Sequence, residues 1–290
     1  MKHTHSSRLS LAALALAGIL TFSACGNSSE SEPTTGASAA TRDPAGTDLT
    51  DEQIVTNIRE TASRNAEYWF TDITEDRNLH IELLRDITEE GETRSNNSAI
   101  DIHADKDNQT LKIESSRTDG ETRTEESTSY FEYDGDVITV YTSDSDAWNS
   151  TELPANQIAS TADVAVMDTS AIYSYVAALT DATVTRNAND SYTLVAQLTP
   201  DSLNEIFGDT ATAEAGTSGT LTVSVDAQTF ELYDLTLELE AEITDSDGRS
   251  SSVKMIINAT AERDADVDLE IPAEVLEAAG TASSTNSDDD

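Results

Sequence analysis

The sequence predicts an α+β fold: one curved antiparallel sheet, a half-barrel, with two or three helices on its concave face. Three observations lead there. Apolar and polar residues alternate over most of the chain. Several alternating runs outlast the usual strand of about five or six residues. Only a few short stretches change to helical spacing.

The longest run is the clearest. Tyr233, Leu235, Leu237, Leu239, Ala241 and Ile243 alternate with Asp234, Thr236, Glu238, Glu240 and Glu242. A strand with one apolar and one wet face belongs to an antiparallel sheet covered on one side only. Long strands in a strongly twisted sheet curl toward a half or whole barrel.

The other elements follow in chain order. Leu49 to Asn65 forms an amphipathic helix, with Thr50 as N-cap, Asp51 and Glu52 in the first turn and Gln53 at capping-box spacing. Ile54, Ile58 and Ala62 share one face of it, with Val55 beside them. The period then becomes two, at Leu79-Ile81-Leu83, Ile100-Ile102 and Leu111-Ile113. After the turn pair Asp119-Gly120 come Tyr130 to Tyr133, a turn at Asp134-Gly135, and Val137 to Tyr141, closing near Trp148.

Ala171 to Leu179 returns to helical spacing, capped by Asp168 or Thr169 and carrying Ile172, Tyr175, Val176 and Leu179 on one side. A hairpin joins Thr183–Thr185 to Tyr192–Leu198. Thr199-Pro200-Asp201 then starts a short helix with Leu203, Ile206 and Phe207, and Gly208 stops it. Leu221, Val223 and Val225 precede a turn at Asp226-Ala227-Gln228 and the long run already described. Asp247-Gly248 turns the chain into Val253, Met255, Ile257, Ala259 and Ala261, and Val267, Leu269 and Ile271 end the alternation.

The first residues argue an address. Met1 to Arg8 carries Lys2 and Arg8 and no acid, and Leu9 to Phe22 is almost wholly apolar and uncharged. That stretch has the length of a signal-peptide apolar region and is short for a membrane span. Phe22-Ser23-Ala24-Cys25 follows, with the only cysteine of the chain. It resembles the lipobox of bacterial lipoproteins, with Phe22 standing where leucine is usual. The resemblance implies a signal peptide over 1–24, cleavage before Cys25, and lipid on that cysteine holding the protein on the extracytoplasmic face of the cell membrane. Residues 26–48 are rich in Ser, Thr, Ala, Gly and Pro without apolar periodicity, the composition of a flexible tether. The body is a single domain over 49–279, and 280–290 reads as a disordered acidic tail.

The formal net charge of −40 excludes nucleic acid, which needs a basic surface to neutralise its phosphates. Solubility explains the charge, and weak collective binding of divalent cations is the sharper alternative. With Cys25 acylated, His80 and His103 are the only other thiol or imidazole groups past the signal peptide, too few for a Cys/His zinc site. His103, Asp105, Asp107 and Glu114 mimic a calcium loop, but His at the first ligand position and Asn108 in place of Gly spoil it. The segment reads better as a polar turn. No nucleophile elbow, P-loop, dinucleotide fingerprint or H-E-x-x-H occurs, and no cofactor is implied.

Tyr133-Asp134-Gly135-Asp136 leading to Tyr141 and Trp148, together with Leu269-Glu270-Ile271-Pro272-Ala273-Glu274-Val275-Leu276-Glu277-Ala278-Ala279, resembles the lipid-handling lipoproteins of the LolA and LppX/LprG type, and more closely a Gram-positive branch of surface lipoproteins of that shape. The second stretch reads as a strand ending in Pro and a short closing helix. The resemblance implies a half-barrel and a non-enzymatic protein that binds, and carries, a lipid or other apolar ligand. The alternative is an interaction module of the cell envelope with no small-molecule ligand. Tyr133, Tyr141, Trp148, Ile172, Tyr175 and Val176 are the candidate pocket residues. Their rings line an apolar pocket in one reading and pack a core in the other.

Overall fold

The computed structural model describes residues 49–68, 73–120, 123–144, 147–154, 172–179, 181–207, 211–245 and 248–285. Cys25, the 26–48 stretch, the Asp168/Thr169 cap, Gly208 and Asp247 lie outside the described residues.

Twelve strands form one antiparallel sheet. In chain order they are β1 (Arg77–Glu89), β2 (Glu92–Asp105), β3 (Thr110–Asp119), β4 (Arg123–Asp134), β5 (Val137–Asp144) and β6 (Ala147–Pro154), then β7 (Ala182–Arg186), β8 (Ser191–Leu198), β9 (Ala211–Ala213), β10 (Ser218–Asp226), β11 (Leu232–Asp245) and β12 (Ser250–Arg263). The spatial order is β6-β5-β4-β3-β2-β1-β12-β11-β10-β8-β7, with β9 added beside β11. The sheet does not close on itself, since β6 and β7 end the path. The pairing of greatest sequence separation, β1 with β12, runs for twelve residues from Arg77↔Arg263 to Thr88↔Ser252.

Because side chains alternate across a strand, register assigns every residue to one of two faces. The inner face carries Leu79 and Ile81, Ile100 and Ile102, Leu111, Phe131, Leu194, Leu221 and Val223, Leu235 and Leu237, and Ala259, all buried in one core. The outer face carries the polar partners, among them Glu238 and Glu240. The expected alternation of an apolar inner side and a polar outer side is present along β10 and β11.

Helix α1 (Asp51–Tyr68) begins with the capping box read from sequence: the Thr50 amide donates to Gln53 Oε1 at 2.8 Å, and the Gln53 amide donates to Thr50 Oγ1 at 3.2 Å. Ile54 and Ile58 are buried on the inner face. Helix α2 (172–177) adds Ile172, Tyr173, Tyr175 and Val176 to the same core. Helix α3 (Pro200–Phe207) adds Leu203 and is capped by Thr199, whose hydroxyl accepts from the Ser202 amide at 3.3 Å.

Two expectations change at the C-terminal end. Val267, Leu269 and Ile271 do not form a strand; 264–272 is a strap that is neither strand nor helix. The Leu269 amide donates to Asp105 Oδ2 at 2.8 Å, in the β2–β3 turn, instead of to a neighbouring strand. The strap carries helix α4 (Ala273–Thr285) to the outer face at β4–β6, and that helix runs past the expected boundary at Ala279. A third change is local. A bulge between Ser224 and Val225 pairs Val225 with Leu232, so Leu232 is buried where Tyr233 was expected.

Candidate binding face

The structure divides the six candidate pocket residues between two faces. Tyr133, Ile172, Tyr175 and Val176 belong to the inner core. Tyr141 and Trp148 belong to a separate outer cluster with Tyr130, Val275, Ala279 and Ile271. The reason is parity: β4 and β5 pair Tyr130 with Tyr141 and Phe131 with Val140, so adjacent rings point to opposite sides. The Tyr130 and Trp148 ring centroids stand 5.8 Å apart at 48°, and α4 lies over them. Tyr141 Oη donates to Glu132 Oε2 at 3.0 Å, and its phenol is pushed up to about 12, by burial first and then by that acceptor.

One end of the inner face is charged and closed. Arg77 and Arg263 are register partners on β1 and β12. Arg263 pairs with both Glu75 and Glu231, the latter at 2.7 Å. Arg77 is 6% exposed, and burial lowers its affinity for a proton, opposed by Glu75. Tyr173 of α2 sits in the same field, its phenol held well above the usual range by burial and drawn back by Arg263 and Arg77. Tyr133 is shifted the same way, with Arg77 opposing. Burial likewise raises Glu231 above the usual carboxylate range against the pull of Arg263. These groups seal the end of the core with paired charge.

The other end of the inner face is different. Leu83, Ile87 and Met255 continue the apolar surface but are only half buried. Arg85 lies among them, with Asn96 and Met255 as register partners. Across β2 to β4 this end is polar: Ser98 faces Arg117, and Ser115 and Ser127 share a hydroxyl hydrogen bond of 2.7 Å.

Both histidines of the body are on the outer face. His80 Nδ1 lies 2.6 Å from Asp101 Oδ1, and that bond raises its pKa, with Glu82 adding. His103 Nδ1 lies 2.7 Å from Asn78 Oδ1. The calcium-loop mimic is the β2–β3 turn: Asp105 Oδ1 accepts from the amides of Asp107 and Asn108, and Oδ2 accepts from the Asn108 side chain. Among the described residues no group of three or more His, Cys, Asp and Glu side chains is placed to hold a metal ion, and no helix is long and apolar enough to cross a membrane.

No protein-family model and no curated protein sequence matches the chain. Solved structures of distant sequence do. An S-type phycobiliprotein lyase from Guillardia theta is 9% identical over 70% of this chain and 97% of its own, with a TM-score of 0.21. A DUF1329 family protein from Desulfovibrio piger is 11% identical over 74% of this chain and 95% of its own, at 0.22. A β-barrel-like protein with a DUF1849 domain from Brucella abortus is 10% identical over 67% of this chain and 99% of its own, at 0.23.

Sequence reasoning passed over Arg77, Arg85, Arg117, Tyr173 and Arg263. A signal was present for three of them. Arg77 and Arg85 fall on the apolar parity of Leu79, Ile81 and Leu83, and Arg263 on that of Ala259 and Ala261. A charge on the apolar side of a strand needs a partner or a purpose. Tyr173 had none, since it stands off the Ile172-Tyr175-Val176 spacing.

Proposed function

We propose that this protein is a membrane-anchored extracytoplasmic lipoprotein, non-enzymatic, that binds and carries a lipid or other apolar ligand on the inner face of its sheet. One observation carries the ligand: the apolar surface continues past the sealed core into Leu83, Ile87 and Met255, which stay half buried. An acyl chain laid there gains about 0.8 kcal/mol per methylene removed from water, so a single chain binds usefully. The anchor rests on the short apolar run before Cys25.

Two measurements test it. Mass spectrometry of the purified protein should find co-purifying lipid, and a fluorescent fatty acid should bind with saturation. Leu83→Trp, which fills the half-buried surface, should reduce that uptake while the melting transition survives. Cys25→Ala should abolish lipid labelling. A protein that carries no lipid and takes up no chain of any length is an interaction module instead, and a Cys25→Ala protein still lipid-labelled removes the anchor.

A further inference from the structure

The sheet has two edges, and the chain treats them differently. The β7 edge is five residues long and ends in charge: Arg186 Nη1 meets Asp51 Oδ1 at 2.8 Å, and its Nη2 donates to the Leu49 carbonyl oxygen at 2.6 Å, which fastens the start of α1 beside it. A short, charged edge resists pairing with another chain. The β6 edge lacks that protection. It pairs with β5 over eight residues without a bulge, its one charged side chain is Glu152, and proline enters only at the last position, Pro154. Among the described residues no strand pairs with its other side.

Exposed apolar surface lies beside the same edge. Helix α4 packs on β6, and its Val275 and Ala279 join Tyr130 of β4 and Tyr141 of β5 in the outer cluster. Leu276, next to Val275, stands outside that cluster and is 44% exposed.

A second copy of this chain answers both features. Residues directly opposite in an antiparallel pair point to one face, so a two-fold that pairs β6 with itself passes through a residue and not between two. Centred on Ser150, it sets Ser150 against Ser150, Trp148 against Glu152, Asn149 against Thr151 and Ala147 against Leu153. No like charges stand opposite, which matters in a chain of net charge −40. Centring on Thr151 sets Trp148 against Pro154 and carries Ala147 past the end of the strand. The helices fit the axis through Ser150 as well. With α4 over β5 and β6, two strand spacings separate it from its copy, about 10 Å, the distance at which helices pack. An eight-residue edge alone is a small interface against the roughly 1,200 Å² that a stable dimer buries, so the helix contact belongs to it.

We propose that this chain forms a two-fold dimer in which β6 pairs with β6 of a second copy about Ser150, and the two α4 helices lie side by side and cover Leu276. The proposal goes beyond the ligand reading and does not depend on what the inner face binds.

The test uses the full-length chain made as Cys25→Ser, which removes the one cysteine and any lipid on it. Sedimentation equilibrium from about 1 to about 100 µM should show a dimer, tighter at about 0.5 M salt than at about 0.05 M, because screening weakens the repulsion between two acidic copies. Ser150→Glu sets carboxylates against each other on the axis and should weaken the dimer about tenfold or more. Ser95→Glu, the same charge on the outer face of β2, should leave it unchanged. Leu276→Ser should weaken it too, and melting should be kept in every variant, since all three residues are exposed. With diamide as oxidant, Ser150→Cys should give a disulfide-linked dimer, because opposite Cα atoms lie about 4.5–5.5 Å apart, whereas Ser143→Cys on β5 should not. A monomer throughout that range overturns the proposal, and slow amide exchange along β6 in that monomer assigns the edge to the chain's own residues. A dimer that survives Ser150→Glu and does not cross-link at position 150 overturns it as well.

Discussion

Arg77 and Arg263 stand opposite one another on β1 and β12, both on the apolar face, and Arg263 is held there between Glu75 and Glu231. Two like charges in register repel, so the pair persists only because carboxylates are built around it. Arg263→Met should therefore destabilise the protein by about 1–3 kcal/mol, leaving Glu75 and Glu231 beside each other. The defect should depend on pH. Glu231 is raised in the folded state, so its contribution favours folding below the unfolded carboxylate value and is lost as pH rises through the folded one. Without Arg263 that loss grows. Melting curves at about pH 4.5 and about pH 7.5 should show a wider gap between variant and wild type at the higher pH.

The two faces of β11 differ in what they tolerate. Leu237 is 0% exposed on the inner face, and Glu238 is exposed on the outer one. Leu237→Asp buries a carboxylate among Leu221, Ile257 and their neighbours and should prevent stable folding. Glu238→Ala should shift stability by no more than about 0.5 kcal/mol. Thermal unfolding followed by circular dichroism separates the two, and equal shifts refute the one-sided sheet.

Gly219 is required by close packing and not by its backbone angles. A Cβ there would stand 2.9 Å from the Glu238 carbonyl oxygen, 3.1 Å from Leu239 Cδ1 and 3.4 Å from Leu198 Cβ. The first contact is with backbone, which cannot rotate aside. Gly219→Val should cost about 1–3 kcal/mol by overpacking, with the larger share of the loss in the β8–β10–β11 segment. Hydrogen exchange at Thr220 and Thr222 amides, compared with those of β2, checks the location.

Asp105 ties the C-terminal strap to the β2–β3 turn. Burial pushes its carboxyl up, but the hydrogen bonds from Leu269, Asn108 and Asp107 outweigh it and hold it below the usual range. Asp105→Ala should release the strap and α4, leaving the inner core folded. Exchange at Val275 and Leu276 amides should quicken, and Trp148 emission should move to the red as α4 leaves the outer face. The stabilisation is present above the unfolded carboxylate value and lost as pH falls through the lower folded one, so acid should loosen α4 in the wild type too.

How much of this was legible in the sequence varies by element. The alternation from Leu235 to Ile243 and the capping box at Thr50 and Gln53 read correctly, since each depends on spacing within one short segment. Tyr233 read wrongly, because it is itself the extra residue of a bulge in β11, opposite Ser224 and Val225, which moves the register by one residue. Tyr133 and Tyr141 looked like one wall; eight positions apart across a tight turn, they are on opposite faces once β4 and β5 pair. The strap also escaped notice, since Val267, Leu269 and Ile271 alternate like a strand, and only the distant Asp105 carboxylate takes up the Leu269 amide.

By itself, then, the sequence determined the character of each strand: its period of two, the burial of one side, and the polarity of the other. Those properties arise from neighbours along the chain, where side chains alternate whatever the partner. The tertiary structure alone decided which strands meet. The β1–β12 pairing puts Arg77 beside Arg263, and the three-strand register of β1 to β3 puts Arg85, Arg94 and Arg117 on one face. Such groupings join residues up to 186 positions apart, as in Arg77 with Arg263, and are set by the closing of long loops around a common core, which no local period encodes.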